Sequence, residues 1–401
     1  MNILQICNKP PFPAVDGGAI AMNNTTQGLL NNGHEVTVLA ITTPKHPVIH
    51  DSIPKEYITK TNFQTVFIDT SIRLRDAFFN LFSKKSYNIE RFISVNFTKQ
   101  LQKILLHQEF DVVIIESLFV SPYISTIKSL SKAKIVLRAH NVEHKIWERI
   151  GKNTKNPIKK RYINLLAKRL KNYEIEVFES IDGIAAMTKV DENDFKNLGF
   201  KKGIASIPTG YILNVKEDSK QTEEKDSIFH IASMDWLPNV EGVDWFLNKV
   251  WPLITSSQNQ AKLYLAGREM PDSYYTLNLP NVHVVGKVKS AKEFYLSKKI
   301  MIVPVLSGSG MRIKIIEGMA LGKVIISTTI GAEGINCTSG KNIIIADSPQ
   351  DFAKAICTCL NNSDYCDSIG KNAQDLIATE YSNDQISRKM ISFFEDLKAV
   401  D

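Results

Sequence analysis

Residues 303–320 carry the arrangement best suited to chemistry in this sequence, a Ser/Gly loop followed by closely spaced charged side chains. Glycines let a backbone approach a ligand closely, and the free N–H groups at a helix start favour an anion. The i, i+4, i+7 spacing of Gly310, Lys314 and Glu317 predicts that they share one helical face. Lys314 and Arg312 would then meet a phosphate, and Glu317 would accept hydrogen bonds from a ribose diol. The same spacing also fits a plain loop and a helix with a solvated Lys–Glu pair.

The sequence around this loop predicts a strand that ends near Pro304 and a helix that starts near Met311. A phosphate-binding loop of the Walker type is excluded because no Gly-Lys-Ser/Thr follows the glycines. A dinucleotide-binding fingerprint is excluded because its third glycine is missing. An anion site here therefore needs a loop of another kind.

A second glycine site is Asp16-Gly17-Gly18, which precedes a helix predicted from about Ala19 to Asn32. Its glycines could cradle a phosphate or let a substrate approach closely. Taken alone, this segment is as compatible with an ordinary loop.

A third candidate is the segment 138–144, which reads Arg-Ala-His-Asn-Val-Glu-His and matches the zinc-binding pattern H-x-x-E-H. Zinc binding needs both histidines on one helix. Residues 134–138 read as a strand, and Asn141 is a good N-cap for a helix starting at Val142. His140 would then lie at the strand's end, where it could orient a leaving group or an acceptor hydroxyl. A structural histidine with satisfied hydrogen bonds is the alternative.

The elements that must position these residues alternate between strand and helix along the chain, which implies parallel sheets. The strands predicted in the two halves are 2–7, 35–41, 66–69, 112–116, 135–138 and 183–187, then 228–232, 262–266, 282–285, 300–304, 324–327 and 342–346.

A polar segment without apolar periodicity, 216–226, is the best linker in the chain. We therefore predict a first Rossmann-like domain over 1–211, a linker over 212–226 and a second domain over 227–381. The final helix, about 382–401, is expected to pack back on the first domain. Two such domains would leave a cleft, with ligands at the carboxyl ends of the strands.

Composition excludes several classes of protein. A chain of 401 residues is longer than the size at which a single hydrophobic core stops growing, so two domains are expected. Its contents of 43% apolar and 23% charged residues are ordinary for a globular protein. No apolar run approaches the roughly 18–20 residues of a membrane span, and the N-terminus lacks a signal-peptide pattern, so we expect a soluble cytoplasmic protein. The odd number of cysteines, 5, argues against a disulfide framework.

The net charge of +7 is unevenly distributed. Residues 1–210 hold 29 Lys and Arg against 19 Asp and Glu, whereas residues 211–401 hold 20 against 23. The segment 159–171 is basic and amphipathic, which fits either a solvated helix face or contact with a membrane surface. No zinc-finger spacing, RNP aromatic block or long basic arm points to nucleic acid.

With these motifs in place, the chain resembles a retaining glycosyltransferase of the large family 4. Its architecture, GT-B, consists of two Rossmann-like α/β domains with parallel sheets facing a cleft. The resemblance covers nearly the whole chain and depends on the order of the motifs at 11–19, 30–36, 138–141, 235–240, 308–320 and 327–335.

The resemblance implies that a nucleotide-diphosphate sugar binds mainly to the second domain and the acceptor to the first. Glu317 would hold the ribose, Arg312 and Lys314 would neutralise the diphosphate, and Gly310 and Met311 would offer backbone N–H groups to it. The resemblance assigns catalytic roles to Glu317 and to a histidine of the first domain.

For the remaining positions the resemblance places Gly18 against the donor, His140 near the transferring sugar and Val285 to Val288 at the border of the base. No cofactor is implied, since the nucleotide sugar is a substrate. No metal is expected, because basic side chains and helix dipoles can stabilise the departing diphosphate. No Asp-x-Asp pair stands at a predicted strand end.

The implied function is hexosyl transfer with retention to a saccharide or lipid-linked saccharide, in cell-surface polysaccharide synthesis. The protein would be cytoplasmic, with possible peripheral contact at the inner face of the membrane. A catalytically silent GT-B scaffold subunit and a sugar-nucleotide 2-epimerase are the alternatives. Many family members carry a glutamate eight positions before the one at 317, where this chain has Ser309. The identity of the donor sugar therefore stays open.

Overall fold

A computed structural model describes residues 1–14, 16–48, 53–73, 75, 79–83, 85–212, 223–308 and 310–399 of the protein. The chain divides into two compact units. Unit 1 comprises Met1–Gly210 and Asn383–Asp401, and unit 2 comprises Tyr211–Ser382. Each unit has its own parallel sheet with helices on both faces, so the fold is a two-domain α/β fold.

Within the described residues, unit 1 contains a seven-stranded sheet in the order β3-β2-β1-β4-β5-β6-β7, with parallel pairing throughout. All residues of Val112–Glu116 are buried, as expected for a strand covered on both faces. The strands are β1 Asn2–Cys7, β2 Glu35–Thr42, β3 Gln64–Phe67, β4 Val112–Glu116, β5 Lys134–Ala139, β6 Gly183–Ala186 and β7 Gly203–Ser206.

The helices of unit 1 cover both faces of this sheet, and short 3₁₀ turns at Leu118–Tyr123 and Phe178–Ser180 link some of them. They are α1 Gly17–Asn31, α2 Lys55–Thr61, α3 Tyr87–Glu90, α4 Val95–His107, α5 Ile124–Leu130, α6 Glu143–Asn153, α7 Pro157–Val177, α8 Lys189–Asn197 and, from the end of the chain, α16 Asn383–Lys398.

The last helix, α16, approaches the sheet closely where β6 and β7 carry glycine. A Cβ at Gly183 would lie 2.6 Å from Leu397, and one at Gly203 would lie 2.4 Å from it. Because neither position has a side chain, Leu397 can pack directly on the two strands. The end of the chain therefore belongs to unit 1.

Unit 2 contains, in its described part, a six-stranded parallel sheet in the order β10-β9-β8-β11-β12-β13. Its strands are β8 Glu224–Ile231, β9 Lys262–Ala266, β10 Val282–Gly286, β11 Lys298–Val303, β12 Val324–Ser327 and β13 Ile344–Ile345. Its helices are α9 Leu237–Trp245, a π-helical turn Phe246–Val250, α10 Trp251–Thr255, α11 Asp272–Tyr275, α12 Ala291–Leu296, α13 Ile313–Ala320, α14 Pro349–Asn361 and α15 Ser363–Glu380.

The structure differs from the predicted elements at several boundaries. Helix α1 begins at Gly17 rather than Ala19, because the Asp16 side chain accepts a hydrogen bond from the Ala19 N–H. Strand β7 was not predicted from its short Gly-Ile-Ala-Ser sequence. Strand β8 begins at Glu224, inside the predicted linker, and residues 213–222 of that linker lie outside the described residues.

No helix in the described ranges is both long enough and apolar enough to cross a membrane.

Candidate functional site

The Ser/Gly loop lies where β11 ends in unit 2, at the carboxyl edge of the sheet. Gly308 and Gly310 have φ angles of +107° and +81°, which side chains rarely adopt. A Cβ at Gly308 would also lie 2.9 Å from the Trp236 ring. The loop therefore needs glycine at both positions, and Ser309 between them lies outside the described residues.

Arg312 fastens this loop. Its side chain is buried, donates a hydrogen bond to the Gly310 carbonyl and lies with its guanidinium carbon 5.1 Å from the centre of the Trp236 ring. A guanidinium over an aromatic face is attracted by the ring quadrupole. The charge of Arg312 is thus held beside the loop backbone, just before α13.

Helix α13 starts at Ile313, two residues later than predicted, with Arg312 at its N-cap. The prediction that Gly310 shares a helical face with Lys314 and Glu317 is wrong. Gly310 has a positive φ and lies in the loop before the helix, which begins only at Ile313. The Arg312 side chain makes no capping hydrogen bond to the helix. The N-cap side chain therefore accepts no hydrogen bond from the N–H groups of the first turn, which leaves these donors to a ligand.

Lys314, on α13, is held by a side chain of helix α9. Its Nζ donates to Oδ1 of Asn239 at 2.7 Å, and Asn239 in turn donates to the Ser233 carbonyl at 2.8 Å. Burial, and then the charge of Arg312, lower the pKa of Lys314 to about 7. An anion bound here would favour the charged form of this lysine.

Glu317 lies one turn after Lys314 and is surrounded by tyrosine. Burial raises the pKa of its carboxyl to about 7, although a side-chain hydrogen bond with Tyr295 acts in the opposite direction. Burial and the charge of Glu317 raise the pKa of Tyr211 to about 12. The carboxyl can therefore accept hydrogen bonds once it is ionised, and its neighbours stay neutral donors.

A buried histidine lies beneath Lys314 in this site. His230, on β8, has its Nδ1 2.9 Å from the Ile302 carbonyl, and burial followed by the charge of Lys314 lowers its pKa to about 3. Its ring is therefore neutral, with Nδ1–H as the donor.

The two valines expected near the base lie on and beyond β10. Val285 belongs to this strand and is 42% exposed, and Val288 follows it and packs against the core cluster that contains Ile315. An exposed apolar side chain at a strand end suits the face of a base.

In unit 1, Gly18 lies in the first turn of α1 beside an unexpected cation. Lys9 forms a 2.6 Å ion pair with Asp16, and a Cβ at Gly18 would lie 2.8 Å from the Lys9 ammonium. Burial by itself would raise the pKa of Asp16, but Lys9 holds it below its usual value. The absence of a side chain at Gly18 therefore leaves room for this lysine over the helix start.

His140 follows β5 directly, as predicted, and its Nε2 lies 2.7 Å from Oε2 of Glu116 at the end of β4. Glu116 is fully buried and also accepts a 2.7 Å hydrogen bond from Gln5 of β1. Three neighbouring strands thus supply one polar network, in which His140 is the partly exposed member.

The second histidine of the same segment has a different partner. His144 is buried, and its Nδ1 contacts Oε2 of Glu174 on α7 at 2.5 Å. Burial and the charge of Glu174 raise the pKa of Glu143 to about 8. Helix α6 begins at Glu143 with Val142 at its N-cap, so the prediction that Asn141 is the cap is wrong. His140 lies outside the helix, and the two histidines contact different carboxylates.

The basic segment 159–171 lies in α7, where its two faces have different roles. Its apolar residues Ile163, Leu166 and Leu170 are buried in unit 1, so the apolar face serves the protein's own core. Lys159, Lys160 and other cations remain exposed. A groove of about 470 Å³ runs along this helix, lined by Glu148, Asn164, Ala167, Lys168, Lys171 and Asn172.

Sequence reasoning gave no site role to several residues that shape these sites, and most of them contact the predicted residues across long stretches of chain. They are Lys9, Gln5, Glu116, Tyr211, His230, Trp236, Asn239 and Tyr295. A usable signal was the polar end of the apolar strand Val-Val-Ile-Ile-Glu, since a carboxylate ending a buried strand needs a partner.

Comparisons with known proteins find a family that matches part of the chain and a relative that matches nearly all of it. Residues 225–362 match the model of the family Glycosyl transferases group 1. An uncharacterized 44.6 kDa protein in the cps region of Klebsiella pneumoniae is 24% identical over 397 residues, which cover 96% of this chain and 97% of that protein.

Solved structures share the fold over essentially the full length. Sucrose-phosphate synthase from Thermosynechococcus elongatus superposes with a TM-score of 0.74 at 14% identity, covering 100% of both chains. HepE from Anabaena, solved in complex with UDP-glucose, gives a TM-score of 0.66 at 11% identity over 98% of this chain and 99% of its own. These likenesses confirm the predicted GT-B fold.

Proposed function

We propose that this protein is a retaining glycosyltransferase that moves a hexose from a nucleotide-diphosphate sugar to a saccharide or lipid-linked saccharide. The observation that carries the proposal is the pair of Lys314 and Glu317 on α13, directly after the glycine loop. A cation and a hydrogen-bond-accepting carboxylate one turn apart suit a ligand with a diphosphate and a diol. The pair lies in the segment that matches the glycosyl transferase family.

In this proposal unit 2 holds the nucleotide. Glu317 accepts hydrogen bonds from the ribose, Lys314 meets the diphosphate, and the N–H groups of Gly310 and Met311 add neutral donors to the phosphates. Arg312 contributes its charge from beside the loop. Val285 and Val288 border the base. A nucleotide-sugar donor is supported by the HepE neighbour, which was solved in complex with UDP-glucose.

Unit 1 contributes Gly18 and His140 to the same reaction. The donor is proposed to approach unit 1 at Gly18, at the start of α1, beside the Lys9–Asp16 ion pair. His140 contacts the transferring sugar and, with Glu317, completes the catalytic pair. The acceptor is a polysaccharide precursor, a proposal supported by the relative in a cps region.

A screen of nucleotide sugars tests the function. The purified protein is mixed with UDP-, GDP-, ADP- and CMP-sugars, and its melting temperature and donor turnover are measured. A ligand that binds only the folded state at 100 times its Kd stabilises the protein by about 2.7 kcal/mol, so one nucleotide class should raise Tm clearly. Turnover that gives products with the donor's anomeric configuration supports retention.

Two outcomes of that screen favour other functions. Binding without turnover of any donor, with or without saccharide acceptors, would indicate a silent scaffold. Release of an isomerised nucleotide sugar without an acceptor would indicate an epimerase.

We expect activity to survive removal of divalent metal. Lys314, Arg312 and the N–H groups at the start of α13 already provide positive charge for a departing diphosphate. Donor turnover is measured after treatment with EDTA and again after addition of manganese. Activity that disappears with EDTA and returns with manganese contradicts the proposal.

We also expect salt-sensitive binding to anionic membranes through the exposed cations of α7. Each basic residue near an anionic leaflet contributes about 1 kcal/mol, and the attraction decays within a Debye length. Because most apolar side chains of α7, among them Ile163, Leu166 and Leu170, are buried while Ile158 is exposed, this attraction should be mainly electrostatic. The protein should sediment with anionic vesicles at low salt and be released at high salt, and neutral vesicles should not bind it.

A pair of charge-matched variants separates α7 from the general charge of unit 1. Changing Lys159, Lys160 and Arg161 to Gln should abolish sedimentation. Changing Lys99, Lys103 and Lys128 to Gln, which removes the same charge from other exposed positions of unit 1, should not. Equal loss in both variants would assign the binding to the general charge of unit 1 rather than to α7, and no binding by the unmodified protein would remove the membrane from the proposal.

A further inference from the structure

The buried carboxylate of Glu116 makes hydrogen bonds with both oxygens. Oε1 accepts from Gln5 Nε2 at 2.7 Å, and Oε2 lies 2.7 Å from His140 Nε2. Glu116 is paired in the strand register with Arg138 of β5, which is also buried, and their charges interact. An ionised carboxylate carries no proton and can only accept hydrogen bonds.

The orientation of the Gln5 amide is fixed by its surroundings. Its Nε2 faces two acceptors, the Met22 carbonyl at 3.1 Å and Glu116, while its Oε1 lies 2.6 Å from the Thr26 hydroxyl. With the amide reversed, an oxygen would face the Met22 carbonyl and the carboxylate, and both contacts would be repulsive. The NH₂ group of Gln5 must therefore face Glu116.

The same reasoning fixes the proton on His140. Since Glu116 Oε2 is an acceptor, the Nε2 of His140 must be the protonated nitrogen. On a neutral ring, Nδ1 is then the acceptor, on the side of the imidazole away from Glu116. Among the described residues, Nδ1 of His140 has no hydrogen-bond partner, so its lone pair is available to a ligand.

We propose that Glu116 is a positioning residue that holds His140 in the Nε2–H tautomer, so that Nδ1 accepts a hydrogen bond from a hydroxyl of the sugar undergoing transfer. The role of the hydroxyl rests on the proposed function, whereas the tautomer follows from the network alone. Through Gln5, Met22 and Thr26, the network also reaches α1, the helix that begins at Gly17. Both parts of unit 1 assigned to the donor thus share one set of hydrogen bonds.

The substitution Glu116→Gln should switch the tautomer. Because the NH₂ of Gln5 needs an acceptor, the new amide must turn its oxygen toward Gln5 and its NH₂ toward His140. The ring can then accept at Nε2 only by moving its proton to Nδ1.

Long-range ¹⁵N–¹H correlation spectra of histidine-labelled protein, recorded where the ring is neutral, report this directly. His140 is assigned from the signals lost in His140→Ala. Unmodified protein should show Nε2–H at His140, and Glu116→Gln should show Nδ1–H. His144, whose Nδ1 contacts Glu174, serves as an internal reference and should show Nδ1–H in both proteins.

An Nδ1–H tautomer at His140 in the unmodified protein overturns the proposal without any variant having to fold. An unchanged Nε2–H tautomer in folded Glu116→Gln overturns it as well.

Donor turnover separates the tautomer from the function. Glu116→Gln should lower kcat with little change in KM for the donor, and Glu116→Asp, which keeps the carboxylate, should restore part of kcat. A switched tautomer together with unchanged kcat in both Glu116→Gln and His140→Ala leaves the positioning intact but overturns the proposed role of His140 in transfer.

Discussion

Replacing His140 by alanine is expected to lower kcat for sugar transfer by about 2- to 10-fold, because the lost hydrogen bond to the sugar hydroxyl is worth about 0.5–1.5 kcal/mol in the transition state. The nucleotide binds to unit 2 in our proposal, so KM for the donor should change little. Steady-state kinetics with the donor identified in the nucleotide-sugar screen measures both quantities.

Stability must be measured beside activity, because Glu116 loses a hydrogen-bond donor in this variant. Leaving a buried acceptor unsatisfied costs about 1–3 kcal/mol, which a typical native protein with about 5–15 kcal/mol of stability tolerates. His107→Ala is the matched control, because His107 is exposed at the end of α4. A kcat for His140→Ala equal to that of the control would exclude His140 from the reaction.

The alternation of strand and helix was readable from the sequence because buried parallel strands are short apolar runs. The edges were harder. Strand β7 reads only Gly-Ile-Ala-Ser, and its glycine is explained by Leu397 of the last helix, a contact about half the chain away. Strand β8 begins with Glu224, whose carboxylate pairs with Lys262 and Lys298, so a charged segment read as linker is partly strand.

At the nucleotide site, residue types were readable but conformations were not. The spacing of Lys314 and Glu317 correctly predicted neighbours on one helix. The same spacing misplaced Gly310, since a positive φ is a property of the loop that no count of residues shows. The sequence indicated Arg312 as a phosphate ligand. In the structure its guanidinium lies over the ring of Trp236, which is 76 positions earlier in the chain and could not be recognised as its partner.

The polar partners of the candidate residues were the least predictable feature. Asn239 reaches Lys314, and Glu116 reaches His140, only after separate strands and helices have come together. Likewise, the apolar half of α7 could be assigned to the core rather than to a membrane only once Leu166 and Leu170 were seen to be buried.

The second large effect is expected at Glu317. Glu317→Ala should weaken nucleotide-sugar binding by about 10- to 100-fold, because a charge-assisted hydrogen bond to the ribose is worth about 1.5–3 kcal/mol. Isothermal titration with the sugar nucleotide measures the Kd, and thermal unfolding shows whether the fold is kept. Unchanged affinity in a folded variant contradicts the assignment of the ribose to this carboxylate.

The pH dependence of that affinity tests Glu317 and Lys314 together. Both have pKa values of about 7 in the free protein, but binding needs an ionised carboxylate and a charged ammonium. Below pH 7, Glu317 must release a proton to bind, so affinity falls as the pH decreases. Above pH 7, Lys314 must take one up, so affinity falls as the pH increases. A bell-shaped profile with its maximum near pH 7 is therefore expected.

Variants assign the two limbs of this profile. Glu317→Gln should remove the decline on the acid side, and Lys314→Met should remove the decline on the alkaline side, each at lower overall affinity. A sugar nucleotide is the right probe, because a terminal phosphate has a second pKa of about 6 that would add its own titration, whereas a diphosphate esterified at both ends has none. A flat profile between pH 5.5 and 8.5, or limbs that persist in both variants, would show that neither group changes its protonation on binding.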